Sequence, residues 1–303
     1  MTSNQAADTR CGYVALIGAP NAGKSTLLNA LVGAKVAIVS PKAQTTRSRV
    51  LGIAIEGGSQ ILYVDTPGIF APRRSLDEAM VRTAWSQADD ADLIAVLMDA
   101  SRERVGRDTW SILERLKEAN RNAVLVLTQI DKVTPAKLLP RIAELNERFT
   151  FDATFMVSSV TGDGLDALKQ EFAARVPAGP WLFPDDQLSD LPQRLLAAEV
   201  TREQLYHQLD HELPYASTVE TEVWEEFENG SVKISQAITV ERSSQKAIVL
   251  GKGGSRIKEI GAASRAELTR LLGRTVHLVL FVKVRENWST DREYLETWGL
   301  KDR

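Results

Sequence analysis

Gly18-Ala19-Pro20-Asn21-Ala22-Gly23-Lys24-Ser25 is the stretch on which the reading of this chain turns. It follows an apolar, β-rich run from Tyr13 to Ile17 and passes directly into the helical pattern Thr26-Leu27-Leu28-Asn29-Ala30-Leu31. Strand, glycine-rich turn and helix in that order let successive backbone N–H groups curl around phosphate oxygens, with the positive end of the helix dipole behind them. The pattern G-x-x-x-x-G-K-S also supplies an ammonium for the β and γ phosphates and a hydroxyl for Mg2+. Lys24 and Ser25 fill those places here, and Thr26 opens the helix beside them. These residues predict a nucleoside-triphosphate site at the first β-to-α turn.

Outward from this loop, short β-rich runs alternate with amphipathic stretches as far as about Val176, which predicts an α/β domain with a largely parallel sheet. The strand candidates are Tyr13 to Ile17, Val50 to Ile55, Ile61 to Val64, Leu93 to Met98, Val124 to Leu127 and Thr154 to Val157. Ligands of such sheets bind beyond the carboxyl ends of the strands, so the residues just after these runs carry the chemistry. After the third run stands Asp65-Thr66-Pro67-Gly68, a carboxylate able to reach Mg2+ through water and a glycine N–H for the γ-phosphate. The polar segment Ser40-Pro41-Lys42-Ala43-Gln44-Thr45-Thr46-Arg47 has no periodicity and suits a loop that orders around the γ-phosphate. One of Thr45 and Thr46 is expected to close over Mg2+, and the sequence does not distinguish them.

Thr128-Gln129-Ile130-Asp131 follows the fifth run, where guanine-nucleotide hydrolases usually carry N-K-x-D. Asp131 keeps the carboxylate that accepts two hydrogen bonds from the guanine edge, Thr128 can bridge to the phosphate loop, and Gln129 lacks the charge and stem of the usual lysine. The expectation is GTP and GDP binding with weakened affinity, because the bidentate pairing chiefly rejects adenine. Ser158-Ser159-Val160-Thr161-Gly162, after the sixth run, resembles the S-A-x-x-G guanine loop, with the Ser159 backbone N–H at the base oxygen.

The loop at residues 18–25, the paired threonines and Asp65-Thr66-Pro67-Gly68 together resemble the translation-factor-related GTPases of the Era, Der and TrmE type. The resemblance implies a catalytic set of Lys24, Thr45 or Thr46, Asp65 and Gly68. Ile69 stands where Ras-like enzymes carry a water-positioning glutamine, which implies slow intrinsic hydrolysis. Asn21 matches a loop asparagine that in related members helps bind K+ beside the phosphates, where the ion can replace an arginine finger. Arg73 and Arg74 follow closely but read as solvated loop arginines.

The chain's 303 residues and 44% hydrophobic, 25% charged composition predict a soluble protein of two domains. The stretch from Pro177 to Pro192 holds Pro177, Pro180, Pro184 and Pro192 together with Gly179 and several aspartates, and reads as a linker. The predicted boundaries are residues 10–177 for the nucleotide domain, 178–191 for the linker and 192–303 for the second domain. Residues 181–230 carry 2 basic and 12 acidic residues (net -10), whereas residues 231–290 carry 11 and 4 (net +7), so a basic window sits inside a chain of net charge -3. That suggests a local polyanion site.

Inside the basic window lies Val249-Leu250-Gly251-Lys252-Gly253-Gly254-Ser255-Arg256-Ile257-Lys258, a G-x-x-G between two helical stretches. A loop without bulky corners can press its backbone on a nucleic-acid strand while Lys252, Arg256 and Lys258 answer the phosphates. Ile248, Leu250 and Ile257 are the candidate wall of an apolar groove for the bases. A helix, strands at Thr218 to Phe227 and Val232 to Val240, a helix–loop–helix and a strand at His277 to Val284 follow the order of a type II KH fold.

With this module the resemblance to Era-type proteins covers nearly the whole chain. It implies ribosomal RNA near the 3′ end of the small-subunit RNA as ligand, the small ribosomal subunit as partner, and a role in its maturation. The alternative reading is an RNA-binding KH protein whose nucleotide domain has decayed, motivated by Thr128-Gln129. No apolar run approaches the ~18 residues that span a bilayer, and the first eleven residues lack a signal core, so a cytoplasmic location is expected. A monomer is the expected state. Peripheral association with the inner membrane is implied by the resemblance alone. Cys11, the one cysteine, has no partner for a disulfide.

Overall fold

The computed structural model describes residues 9–42, 44–72, 74–288 and 291. The chain forms two compact units. The first comprises the described residues up to Val36 and those from Thr46 to Asp190; the second comprises Ala37–Thr45 and the described residues from Leu191 onward.

In the first unit, β1 (Arg10–Gly18), β2 (Val50–Glu56), β3 (Ser59–Asp65), β4 (Leu93–Asp99), β5 (Val124–Thr128) and β6 (Ala153–Met156) form one sheet in the order β2-β3-β1-β4-β5-β6. All neighbours pair in parallel except β2, which runs antiparallel to β3. The helices are α1 (Lys24–Val32), α2 (Ser75–Asp90), α3 (Arg107–Glu118), α4 (Leu138–Asn146) and α5 (Leu165–Arg175). Helices cover both faces, so β1 reads as a continuous apolar run: Val14, Ala15, Leu16 and Ile17 are all fully buried. Ala15 and Ile17 share a core with Trp85 of α2 and Ile112 of α3. On β2 a Cβ at Gly52 would stand 2.5 Å from Leu28 Cδ1, so the glycine is what lets α1 lie close to that strand.

Of residues 178–191, expected to be a linker, those up to Asp190 belong to the first unit and are hydrogen-bonded onto it. Ile53 donates its N–H to the Leu188 carbonyl (2.9 Å), and Ser189 Oγ donates to the Leu51 carbonyl (2.6 Å). Gln60 Oε1 accepts from the N–H groups of Leu182 (2.9 Å) and Phe183 (3.1 Å). The outer edge of β2 offers backbone groups that need partners, and this segment supplies them. Proline-rich composition conveys the lack of regular structure but not this edge pairing.

The second unit contains α6 (Gln193–Gln208), β7 (Ser217–Glu226), β8 (Val232–Val240), α7 (Ser243–Leu250), α8 (Ser255–Leu272) and β9 (Val276–Val284). Its strands lie in the order β7-β8-β9, antiparallel then parallel. Leu205, Val219, Ile238, Val249, Ile260 and Val282 meet in its core. This is the type II KH order expected. Ala37–Thr45 packs with this unit, which no local pattern in the segment foretells.

Candidate functional site

The loop between β1 and α1 owes its shape to two left-handed residues, Asn21 (φ 62°) and Gly23 (φ 86°), the second being the N-cap of α1. Gly18 and Gly68 are needed for space: a Cβ at Gly18 would meet the Leu97 carbonyl oxygen at 2.6 Å, and one at Gly68 would meet Pro20 at 3.1 Å. Ile69 N–H donates to the Gly18 carbonyl (3.1 Å), which ties the segment after β3 to the loop. Ile69 is itself buried in the apolar core, so its side chain presents nothing to a phosphate. Thr66 Oγ1 donates to the Leu16 carbonyl (3.0 Å), fixing the turn at Pro67 against β1.

Lys24 is buried, and its ammonium donates to the carbonyls of Gly18 and Ala19, both at 3.1 Å. Burial pulls its pKa down to about 8, opposed by the nearby Asp65 carboxylate. Asp65 is fully buried; burial pushes its pKa up, while Lys24 and hydrogen bonds from Ser25 and Thr46 pull it down. Asp65 Oδ2 accepts from Ser25 Oγ (2.6 Å) and Thr46 Oγ1 (3.2 Å), and the two hydroxyls lie 2.9 Å apart. Asp65 Oδ1 is buried with no hydrogen-bond partner among the described residues. Two hydroxyls and a carboxylate with a spare oxygen are hard donors of the kind a magnesium ion takes. Thr45 points elsewhere: its hydroxyl is shared with Ser40 Oγ (3.0 Å) and the Lys42 carbonyl (2.8 Å).

At the other end of the loop, Thr128 Oγ1 is shared between the carbonyls of Ala22 (2.8 Å) and Met98 (3.2 Å). The bridge expected of a threonine there is formed. Asp131 accepts from Ser158 Oγ at 2.7 Å, and the same hydroxyl faces the N–H groups of Val160 (3.3 Å) and Thr161 (3.2 Å). The carboxylate and the loop carrying Ser159 are therefore joined, while Val160 is exposed at the surface. Gln129 takes a left-handed backbone (φ 58°), and its side-chain oxygen accepts from the Lys132 ammonium at 2.7 Å. Thr26 is half-buried in the first turn of α1, and Asn21 is exposed.

In the second unit α7 and α8 meet at a turn in which Gly251 (φ 71°), Gly253 (φ 61°) and Gly254 (φ 79°) all take positive φ. A Cβ at Gly251 would lie 2.7 Å from Arg256 Cβ, so that glycine closes the turn. Lys252 and Lys258 are exposed; Arg256 is paired with Glu259 at 3.3 Å. Leu250 and Ile257 are half-buried against the core, and Ile248 is 58% exposed. Cations and an apolar strip flank a backbone free of side chains, which is what a nucleic-acid strand requires.

Sequence reasoning missed Arg102, whose guanidinium donates to the Pro20 carbonyl of the phosphate loop at 3.2 Å. No motif links residues so far apart. Arg74 heads α2 and its N–H donates to Asp77 (3.2 Å), whereas Arg73 lies outside the described residues.

Both units match families of known proteins. Residues 13–129 match a family described as 50S ribosome-binding GTPase, and residues 212–289 match the KH domain. The chain is 56% identical to GTPase Era of Afipia carboxidovorans over 99% of this chain and 97% of that protein. It is likewise 56% identical to GTPase Era of Brucella suis, over 98% of this chain and 95% of that one. Among solved structures, a variant of Aquifex aeolicus Era bound to GDP and AlF4- has a TM-score of 0.90 at 39% identity, covering 96% of this chain and 99% of that one. Era in complex with MgGDPNP and nucleotides 1506–1542 of 16S ribosomal RNA has a TM-score of 0.90 at 40% identity, covering 97% of this chain and 99% of that one.

Proposed function

This chain belongs to the Era family of GTPases, and on that premise we propose that it is a GTP-hydrolysing switch acting in small-ribosomal-subunit assembly, with residues 10–177 handling the nucleotide and residues 192–303 the RNA. The observation that carries the reading is the convergence of Lys24, Ser25, Thr46 and Asp65 at the carboxyl ends of β1 and β3.

Backbone N–H groups of the loop Gly18–Ser25, Pro20 excepted, cradle the α and β phosphates, and Lys24 exchanges its carbonyl partners for phosphate oxygens. Ser25, Thr46 and Asp65 hold magnesium, which neutralises charge on the transferring phosphoryl group. The Gly68 N–H faces the γ-phosphate. Asp131, held by Ser158, takes the guanine edge, and the Ser159 N–H takes the base oxygen. With Ile69 buried, no side chain of that position orients the attacking water, so intrinsic turnover is slow. Asn21, exposed on the loop, is the residue that would help hold a potassium ion beside the phosphates.

The ligand of the KH turn is the 3′ region of small-subunit ribosomal RNA, by analogy with the Era complex. Gly251 to Gly254 contact its backbone, Lys252, Arg256 and Lys258 its phosphates, and Ile248, Leu250 and Ile257 its bases. No helix among the described residues is long and apolar enough to cross a membrane. We place the protein in the cytoplasm as a monomer, with any association with the inner membrane peripheral.

Turnover of GTP by the purified chain in magnesium buffer, with Lys24→Ala as control and excess ATP as competitor, tests the enzyme. Anisotropy with a labelled RNA of the small-subunit 3′ end tests the ligand. Activity surviving in Lys24→Ala, or competition by ATP at equal concentration, would overturn the nucleotide assignment.

A further inference from the structure

Ala37–Thr45 packs with the second unit, and one face of α6 holds it. Glu203 Oε1 accepts the Val39 N–H at 2.8 Å, the Arg202 guanidinium donates to the Thr45 carbonyl at 2.6 Å, and the Tyr206 hydroxyl donates to the Gln44 carbonyl at 3.1 Å. From the segment itself, the Lys42 ammonium donates to the Leu209 carbonyl at the end of α6. Arg202, Glu203 and Tyr206 lie at i, i+1 and i+4, on the side of the helix opposite the buried Ala197, Thr201 and Leu205.

Arg202 decides how this arrangement is to be read. It is 2% exposed, paired with Glu199 (Nε to Oε1, 2.8 Å), and its guanidinium stands 5.3 Å from the centre of the Tyr206 ring. Taking a guanidinium out of water is costly unless its donors are used. Here one of them is used on a backbone carbonyl of an irregular loop, and NH1 has no partner among the described residues. The core of the second unit, on the other side of α6, does not need that contact. What the contact fixes is the residue that ends the segment. Thr45 is joined by a peptide bond to Thr46, whose hydroxyl meets Ser25 and Asp65.

We propose that Arg202, Glu203 and Tyr206 of the KH-bearing unit are positioning residues for the nucleotide switch: they hold the strap Ala37–Thr45 so that Thr46 is presented to magnesium and the γ-phosphate. This rests on the nucleotide reading above. GDP has no γ-phosphate to engage Thr46, so the strap's anchorage stabilises the triphosphate state selectively. By linkage, binding of a GTP analogue strengthens the strap's hold on α6 by the same factor.

The test uses the full chain with Tyr206→Phe and Glu203→Met, each of which removes one strap hydrogen bond at nearly constant volume. Tyr206→Phe retains the ring that packs edge-on against Tyr215 at 5.8 Å. Dissociation constants are measured for GDP and for a non-hydrolysable GTP analogue, both with magnesium, and thermal unfolding is followed alongside. For Tyr206→Phe the loss of one neutral hydrogen bond predicts an analogue affinity about three- to tenfold weaker, and for Glu203→Met, where a carboxylate is the acceptor, a larger loss, with GDP affinity within about twofold of wild type in both. Arg202→Lys should retain more of the analogue affinity than Arg202→Met. Equal weakening of both nucleotides, or no change in either in the folded Tyr206→Phe protein, overturns the proposal while leaving the nucleotide site intact. A wild-type chain that bound neither nucleotide would instead remove the reading on which it rests.

Discussion

Thr46 Oγ1 lies 2.9 Å from Ser25 Oγ, although the two hydroxyls come from segments 21 residues apart. Both reach the same oxygen of Asp65, so one carboxylate holds together the helix that starts the phosphate loop and the loop that must sense the γ-phosphate. Neighbouring Thr45 takes no part, because its hydroxyl is used within its own segment by Ser40 and Lys42.

The two threonines should therefore differ sharply on substitution. Thr46→Ala is expected to weaken magnesium-dependent binding of a GTP analogue by about ten- to a hundredfold, the usual cost of disturbing a metal's ligand shell. Thr45→Ala should change it by less than about threefold, the worth of one partly exposed hydrogen bond. A magnesium titration at fixed analogue concentration reads both, and the reverse ranking would assign the metal to Thr45.

Lys24 makes the site sensitive to alkaline pH. Its pKa is depressed to about 8 by burial, whereas a bound triphosphate favours the charged form. Above that pH the nucleotide-free lysine is neutral, so binding GTP must take up a proton and affinity falls as pH rises, by up to about tenfold per unit. Calorimetry at pH 9 in buffers of different ionisation enthalpy measures that uptake. Binding enthalpies that do not depend on the buffer would show that Lys24 keeps its proton without nucleotide.

Much of this was legible from local pattern. The order strand, glycine turn and helix defined the phosphate loop, and alternation of apolar runs gave each strand of both sheets to within a few residues. Thr128 was readable as a bridge because a hydroxyl at that place can donate toward the phosphate loop. What the sequence withheld depends on contacts between distant positions. Arg202, Glu203 and Tyr206 sit in an ordinary amphipathic helix, and their polar face gives no sign that it will grip a loop more than 150 residues earlier. The Pro177 to Pro192 stretch has a linker's composition, yet its backbone completes the edge of β2, because pairing at an edge is made by main-chain groups that leave no mark in side-chain pattern.

Thr128 replaces an asparagine of the usual motif and still joins the base-binding and phosphate loops through Ala22. Thr128→Val keeps the shape and removes the hydroxyl, leaving two buried carbonyls short of a donor. GDP affinity should drop about three- to tenfold, with thermal stability lowered by about 1 kcal/mol. Thr128→Asn, which restores the usual residue, should bind at least as tightly as wild type in a stopped-flow exchange assay. A tighter Thr128→Val protein would mean that the bridge opposes binding.

At the KH turn the three cations are not equivalent, and salt dependence separates them. Each phosphate neutralised on a single strand contributes about 0.7 to the slope of log affinity against log salt. Lys252 and Lys258 are exposed, so replacing either with alanine should lower the slope by about that amount and weaken binding evenly across RNA sequences. Arg256 already shares its charge with Glu259 at 3.3 Å, and an RNA phosphate must compete with that carboxylate. Arg256→Ala should therefore cost less than either lysine change, and Glu259→Gln should strengthen RNA binding by freeing the guanidinium. Gly253→Asp is expected to abolish binding altogether, since it sets a carboxylate where a strand must lie and forces a side chain into a backbone at φ 61°. GTP turnover by each variant gives the internal control. If Glu259→Gln weakened binding, Arg256 would have to act through its pair with Glu259 rather than through a phosphate.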